Sequence, residues 1–520
     1  MGEAQEGAAA PVAPAAARQA ATLDRRRLLL VFAGLMLAVL LAALDQTIVA
    51  TALPTIVGEL HGLEHMAWAV TAYLLAATIG LTIYGKLGDQ FGRKPVFLFA
   101  ISVFLLGSAL TGLAQSMGQL IAFRAVQGIG GGGLTIGAQA IIGELIAPRE
   151  RGRYIGAFFG MFGLASVAGP LLGGYLTDAW SWRWCFYINL PLGALTLAIV
   201  TAGLHLPRHP TRPRLDYLGA ALLAVAVTCM VLVTSWGGTR YAWASPTIIA
   251  LGVAAPVLLG AFVLAERRAA EPVVPLRLFR SRVFNVANGL SLVIGVVLFG
   301  TIIYIPAFFQ MAQGASATQA GLRMLPMMAG LLAAAVWSGQ RISATGTYRR
   351  FPIAGMALGA AGLALLSRLG ADTPYPLASS FLLLLGVGMG LSMQVLVLAV
   401  QNAAPPTDLG AATSATNFVR QIGGSFGAAG LGAVFTSRLS EQLAARLPAG
   451  ALARLPAGGV NAITPALVHT LPPPVRAGFI GAYVDALAPA FGYLVPLVLV
   501  AFALAWLLPE LPLRSNQPGS

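Results

Sequence analysis

Apolar runs of roughly twenty residues recur along almost the whole of this 520-residue chain, and they constrain it more than any motif does. A bilayer core about 30 Å thick is spanned by about 20 apolar helical residues. Inside lipid the backbone must satisfy its own hydrogen bonds, so such runs are read as helices. Spans are expected near 28–52, 67–84, 96–116, 118–143, 154–177, 184–206, 216–236, 246–265, 284–310, 318–338, 352–369, 377–402, 410–436 and 486–509. The expected fold is therefore an all-α integral membrane protein of fourteen transmembrane helices. Only 10% of residues are charged, against roughly 25% in soluble domains, which argues against a water-soluble alternative.

The net charge of +14 would suggest nucleic acid if the chain were soluble. Its distribution points elsewhere. With an even number of spans, 22 of the 32 Lys and Arg residues fall on the side of the N-terminus, seven on the other side, and three (Arg124, Arg323, Arg420) inside spans. This is the positive-inside pattern. It predicts a multi-pass protein of the cell membrane with both termini cytoplasmic and no nucleic-acid partner.

Landmarks repeat at a nearly constant offset. Pro54 and Gly62 recur as Pro306 and Gly314, Gly85 and Gly92 as Gly339 and Gly346, Pro148 and Gly152 as Pro406 and Gly410, and Gly169 as Gly427. Internal repeats are common in transporter folds. The chain divides into a disordered cytoplasmic tail (1–27), a six-helix half (28–206), linkers with two extra helices (207–283), a second six-helix half with a long outer loop at 438–485 (284–509), and a cytoplasmic tail (510–520). The arrangement is 6+2+6 with two pseudo-symmetric halves. The loop at 438–485 reads as short amphipathic helices on the outer interface.

Four motifs carry a resemblance. Helix 1 contains Leu44-Asp45-Gln46-Thr47 through Leu53-Pro54. The loop after helix 2 reads Gly85-Lys-Leu-Gly88-Asp89-Gln-Phe-Gly92-Arg93-Lys94-Pro. Helix 4 contains Arg124-Ala-Val-Gln127-Gly128. Helix 5 contains Gly156 and then Gly169-Pro170-Leu-Leu-Gly173-Gly174. Together they resemble the major facilitator superfamily, and specifically its fourteen-helix drug:proton antiporter branch. Ala50 and Ala165 depart from the branch pattern. The stretches Ser181–Pro191, Val274–Phe279 and Phe418–Gly424 resemble the same branch.

The resemblance implies a role for each motif. Gly85, Gly88, Asp89, Gly92, Arg93 and Lys94 would form a cytoplasmic latch that breaks as the halves rock, with Asp89 able to meet a helix N-terminus. The second copy, Gly339 to Arg350, has Ser343 in place of the acid, so the latch would be asymmetric. Gly156, Gly169, Pro170, Gly173 and Gly174 would form the antiporter hinge. Arg124 and Gln127 would respond to protonation of a nearby acid. Asp45 is the one acidic residue placed well inside a span, and a membrane-buried ionisable group is expected to be functional. Proton and cationic substrate would compete for it.

Gln46, Met161, Phe162, Tyr304, Phe308, Met327 and Met393 are candidate pocket residues, while Arg183 and Asn189 read as anchors at the outer interface. Cys185 and Cys229 read as packing residues, the five histidines as loop or boundary residues. No phosphate-binding loop, paired membrane acids or selectivity filter is present, which argues against an ATP-driven pump, an enzyme and a channel. The reading is a proton-coupled multidrug efflux transporter, without cofactor or metal, monomeric, exporting cationic or neutral lipophilic compounds by alternating access. A dedicated exporter of an endogenous metabolite is the alternative.

Overall fold

The computed structural model describes residues 25–60, 66–146, 148–204, 216–238, 241–269, 272–315, 317–447, 468 and 471–513. Residues 1–24 of the expected tail, all five histidines, the basic stretch 207–214 and the repeat region from 448 to 467 lie outside the described residues, while residues 25–27, expected in the tail, open the first helix.

Helices dominate, and among the described residues there is no strand, only an isolated bridge between Gly237 and Tyr241. In chain order they are α1 (Arg25–Glu59), α2 (Met66–Phe91), α3 (Arg93–Gly112), α4 (Met117–Leu145), α5 (Pro148–Ala179), α6 (Trp184–Tyr187), α7 (Asn189–Gly203), α8 (Tyr217–Trp236) and α9 (Pro246–Arg268). There follow α10 (Arg282–Met311), α11 (Ala317–Leu322), α12 (Leu325–Thr345), α13 (Arg350–Leu366), α14 (Tyr375–Ala403), α15 (Leu409–Arg446), α16 (Pro473–Gly492) and α17 (Leu494–Ala505).

Local chemistry sets the helix ends. Ser116, Asp216, Ser245 and Ser281 each accept a hydrogen bond from a backbone N–H of the first turn of α4, α8, α9 and α10, satisfying donors that have no intrahelical partner. Gly346, at φ +74°, closes α12 in the left-handed conformation that only glycine adopts without strain. Gly92, at φ +90°, takes another positive-φ conformation open to glycine, in the turn between α2 and α3.

Ten helical segments among the described residues are long and apolar enough to cross a membrane. The helices outside that set include α4, α5, α13 and α15. α13 has only 17 residues. α4 and α15 are rich in Gly, Ser, Thr and Gln, and much of each is buried against neighbouring helices. A helix enclosed by protein needs less apolar surface than one facing lipid.

The expected loop at 438–485 is helical at both ends, since α15 runs to Arg446 and α16 begins at Pro473 rather than at 486. The polar and charged residues near 438–446 hid the end of α15, and the run Pro472-Pro473-Pro474 sits at the start of α16, where proline is tolerated.

Packing repeats between the halves. α4 lies against α2 and α3, as α14 lies against α12 and α13. The halves meet through two equivalent pairs, α2 with α15 and α12 with α5. α8 and α9 pack on each other, and α8 reaches both α2 and α15, covering one side of that seam. The second half has a single continuous apolar core. The core of the first half is split in two, and the split falls within α1 between Ala42 and Ala43.

Candidate functional site

Three residues beyond that split, Asp45 is wholly buried. Around it α1, α3, α4 and α7 contribute one polar cluster. Arg124 Nη1 donates to Asp45 Oδ2 at 2.5 Å. Gln127 Nε2 and Asn189 Nδ2 donate to Asp45 Oδ1 at 2.8 and 3.1 Å. Arg124 is itself buried, and Nη1 also reaches Gln127 Oε1 at 3.0 Å while Nε donates to the Ala69 carbonyl at 3.2 Å. Ser108 Oγ accepts from Gln127 and Asn189 and donates to the Phe186 carbonyl.

Small residues make this arrangement reachable. A Cβ on Gly107 would lie 2.5 Å from the Gln127 backbone, so α3 and α4 meet there without intervening side chains. A Cβ on Gly128 would lie 2.4 Å from the Tyr73 carbonyl, and the ring of Tyr73 stands 4.2 Å from the Arg124 guanidinium carbon. The cation thus has an aromatic face, a carboxylate and a carbonyl around it, the compensation a buried charge needs. Arg124 is no interface anchor: it faces the interior. Asn189, expected as an anchor, is instead a partner of Asp45; its neighbouring aromatic residues point to the interface, and no local pattern marks the inward turn of α7. Ser108 and Tyr73 carried no motif and were missed.

The helix-5 glycines pack on the same stretch of α1. A Cβ on Gly169 would lie 2.0 Å from Thr47 Oγ1, and one on Gly173 would lie 2.9 Å from the Ile48 carbonyl. Thr47 Oγ1 also donates to the Ala165 carbonyl at 2.9 Å. Gly156 faces the other half instead, 3.2 Å from Val336 Cα and from Gln394 Oε1 by the same measure. Gly174 meets nothing within 4 Å. α5 runs as one helix through Pro170, whose side chain lies outside the described atoms.

At one end of the bundle, Asp89 bridges the halves. It accepts hydrogen bonds from the Gly410 and Ala411 N–H groups at the start of α15, at 3.2 and 3.0 Å. Arg93 donates to Asp89 at 2.7 Å and pairs with Glu144 at 2.6 Å. Lys94 Nζ donates to the Thr201 carbonyl at 2.8 Å. A Cβ on Gly85 would sit 2.4 Å from Ser414 Oγ and 2.7 Å from the Gly410 carbonyl, so the glycine permits the contact. Gly88 meets only Arg93, at 3.8 Å. Further hydrogen bonds cross the seam nearby: Asn417 Nδ2 donates to Gln139 Oε1 at 2.6 Å, and Arg420 donates to Asn417. Arg277 holds Asp408, just before α15, with two bonds of 2.8 Å. Ser343, at the position matching Asp89, bonds to Gly339 of its own helix.

The candidate pocket residues do not assemble as expected. Phe308 and Met327 are buried in the core of the second half, and Tyr304 donates to the Ala428 carbonyl. Met161 and Phe162 pack against the first core, and Met393 against both cores. Gln46 is exposed next to buried Asp45, with its amide on the Ala42 carbonyl. Buried apolar residues at helical spacing have the composition of a pocket lining and of a core alike, and here packing accounts for Phe308 and Met327. Cys185 and Cys229 are buried free thiols.

The profile of the Major Facilitator Superfamily matches residues 35–428. The chain belongs to this superfamily. This transporter is 45% identical, over 93% of its length and 70% of the relative's, to an uncharacterized MFS-type transporter of Mycobacterium tuberculosis. It is 40% identical to the multidrug transporter protein MdtP of Bacillus subtilis, covering 80% of this chain and 77% of that one. Multidrug resistance protein 3 of the same species is 38% identical over 79% and 80% of the two chains. Among solved structures, the human organic anion transporter MFSD10 (TETRAN) superposes with a TM-score of 0.60 over 92% of this chain and 99% of that one, at 17% identity. The proton:xylose symporter XylE superposes at 0.58 over 93% and 96%, at 14% identity. At those identities the likeness speaks for the fold alone. As a member of this superfamily the chain is a membrane transporter and not an enzyme.

Proposed function

We propose that this transporter exports cationic or neutral lipophilic compounds in exchange for protons, by alternating access. The observation that carries the reading is the buried Asp45–Arg124–Gln127–Asn189 cluster. In it the carboxylate accepts bonds from three side chains, an arrangement matched to its charged form. A proton arriving at Asp45 removes the charge that holds Arg124 and turns an acceptor into a donor. The guanidinium, the amides and the contact of α1 with Gly169 and Gly173 must then rearrange, which couples protonation to helix movement. A cationic substrate offers the same compensation to the carboxylate, so proton and substrate exclude one another. The names of relatives at 36–40% identity, multidrug transporters and efflux pumps, support export of foreign compounds.

The same reading takes α4, α5, α13 and α15 as crossings beside the ten apolar segments, giving fourteen in a 6+2+6 order. Both termini lie in the cytoplasm of a monomer in the cell membrane, and the driving force is the proton gradient, without a cofactor. The Asp89 end is then cytoplasmic, and its cross-half bonds describe a state closed on that side.

The test is efflux of a lipophilic cationic dye in inverted vesicles containing the protein, with and without Asp45→Asn. Dye movement that collapses with the proton gradient and with the substitution is expected. Undiminished gradient-dependent transport by Asp45→Asn would overturn the role of Asp45. Gradient-independent dye movement would overturn proton coupling, and no dye movement by the unsubstituted protein would overturn the substrate class.

A further inference from the structure

Where the outer faces of α13 and α17 separate, at the Asp89 end of the bundle, they leave a groove of ≈ 410 Å³. One wall is α13, with Ile353, Ala354 and Ala357; the other carries Phe502 and Trp506. Arg349, Arg350 and Glu510 complete the lining where the helices end. The small side chains at 354 and 357 make the apolar floor, both are exposed, and Trp506 is 53% exposed beside them.

The polar end is built rather than incidental. Glu510 accepts from the Tyr348 and Arg349 N–H groups at 2.6 and 3.1 Å, so its charge is engaged by the turn before α13. Tyr348 Oη donates to the Pro509 carbonyl at 2.7 Å, fixing the segment after α17 against that turn. Arg349 donates to the Trp506 carbonyl, and its Nε–H, shielded from solvent, meets no acceptor among the described atoms. The exposed Arg350 guanidinium stands 5.1 Å from the Phe351 ring and 3.5 Å from Thr345 Oγ1, a long contact easily exchanged for a better acceptor. Two guanidiniums with spare donors thus face one engaged carboxylate at the head of an apolar channel.

We propose that this groove binds an anionic phospholipid. Its phosphate would bridge Arg349 and Arg350, whose planar donors suit phosphate oxygens, and one acyl chain would lie along Ala354 and Ala357 against Phe502. Basic recesses between helices at a membrane surface suit anionic headgroups in this way. A zwitterionic lipid fills the channel equally well but adds a cation beside two guanidiniums, and free phosphate gains nothing from the channel.

Native mass spectrometry of the purified full-length protein, titrated with phosphatidylglycerol, phosphatidylethanolamine or inorganic phosphate, tests this. Phosphatidylglycerol is expected to be retained about tenfold more strongly than phosphatidylethanolamine. Arg350→Gln should remove most of that preference. Ala357→Trp, which fills the channel without touching charge, should weaken both lipids. Arg341→Gln, an exposed arginine outside the groove, should change nothing. Equal retention of the two lipids, or unchanged retention in both groove variants, would overturn the proposal. So would an equal loss with Arg341→Gln, which marks diffuse surface attraction. Phosphate that displaces phosphatidylglycerol at matching concentration would overturn the lipid as occupant.

Discussion

The two halves share a fold and differ in chemistry. At the repeat's offset from Asp45 the second half has Val297, fully buried in one continuous apolar core. At the offset from Asp89 it has Ser343, bonded within its own helix. The contacts between halves differ in the same way. The α2–α15 pair is joined by a carboxylate on two backbone N–H groups, while the α5–α12 pair meets through Gly156 and Gly163 against Val336 and Leu332. On the proposed mechanism, a bundle that rocks needs both halves to pack alike, but only one of them has to hold the charge that responds. The difference teaches that symmetry here belongs to helix packing, and function to where the symmetry fails.

The largest effect should come from breaking the polar core. Asp45→Ala leaves Arg124 buried without its counter-charge, a loss of about 3–5 kcal/mol by the usual cost of stranding one member of a buried pair. Melting in detergent should fall clearly, and dye efflux should disappear. The double variant Asp45→Leu/Arg124→Met makes this core resemble that of the second half. It should recover most of the lost stability and none of the transport. Recovery of transport would mean that the charge asymmetry between halves has no role in the cycle.

Next in size is the latch. Asp89→Ala removes two charge-assisted bonds across the seam, each about 1.5–3 kcal/mol at most. Distances between spin labels across the Asp89 end should shift toward the open population. Ser343→Asp, the reciprocal change, should leave that distribution as it is, because the Ser343 hydroxyl is directed at the Gly339 carbonyl of its own helix. Gly85→Ala should act like Asp89→Ala, since the new Cβ meets the Gly410 carbonyl at 2.7 Å and backbone cannot yield cheaply. Gly163→Ala meets only the end of the Leu332 side chain, at 2.5 Å, and should cost below about 1 kcal/mol. Equal effects from the two glycines would erase the distinction between the arms.

Much of this was legible in the sequence because a membrane writes its constraint in plain composition. Apolar runs placed most helices, and repeated glycines and prolines pointed to a duplication that the repeating packing pattern parallels. Asp45 stood out as a lone acid within an apolar run, and Arg124 and Gln127 were singled out by the resemblance of their helix to a family motif. Legibility stopped where position depends on rotation about a helix axis in three dimensions. Asn189 and Ser108 are single polar residues whose inward orientation no local pattern encodes. Phe308 and Met327 were expected at a pocket because core and pocket draw on the same residue types. The helix beginning at Pro473 was hidden because it opens with prolines and carries Arg476 and Asp485. Arg476 sits in the first turn and Asp485 well inside the helix, where it pairs with Arg446, and both depress apolarity in any sequence window.

The smallest effect separates a buried ion pair from an exposed one within the same half. Arg183 pairs with Glu59 at 2.6 Å, and Trp182 Nε1 donates to the same carboxylate at 2.8 Å. Both charged side chains are partly exposed, at 31% and 48%. The hydrogen bond from Arg183 lowers the Glu59 pKa below its ordinary 4.5, with burial opposing. A lowered carboxyl pKa contributes stability that is present above the unfolded value and lost as pH falls through the folded one. Any destabilisation from Glu59→Gln should therefore be seen at neutral pH and vanish as the medium is acidified below 4.5. Exposure and screening limit it to about 0–1 kcal/mol, against the several expected at Asp45–Arg124. A salt titration of the melting temperature checks this. The Glu59→Gln difference should shrink toward zero in high salt, whereas that of Asp45→Ala should persist, because a pair sealed among α1, α4 and α7 is hardly reached by mobile ions.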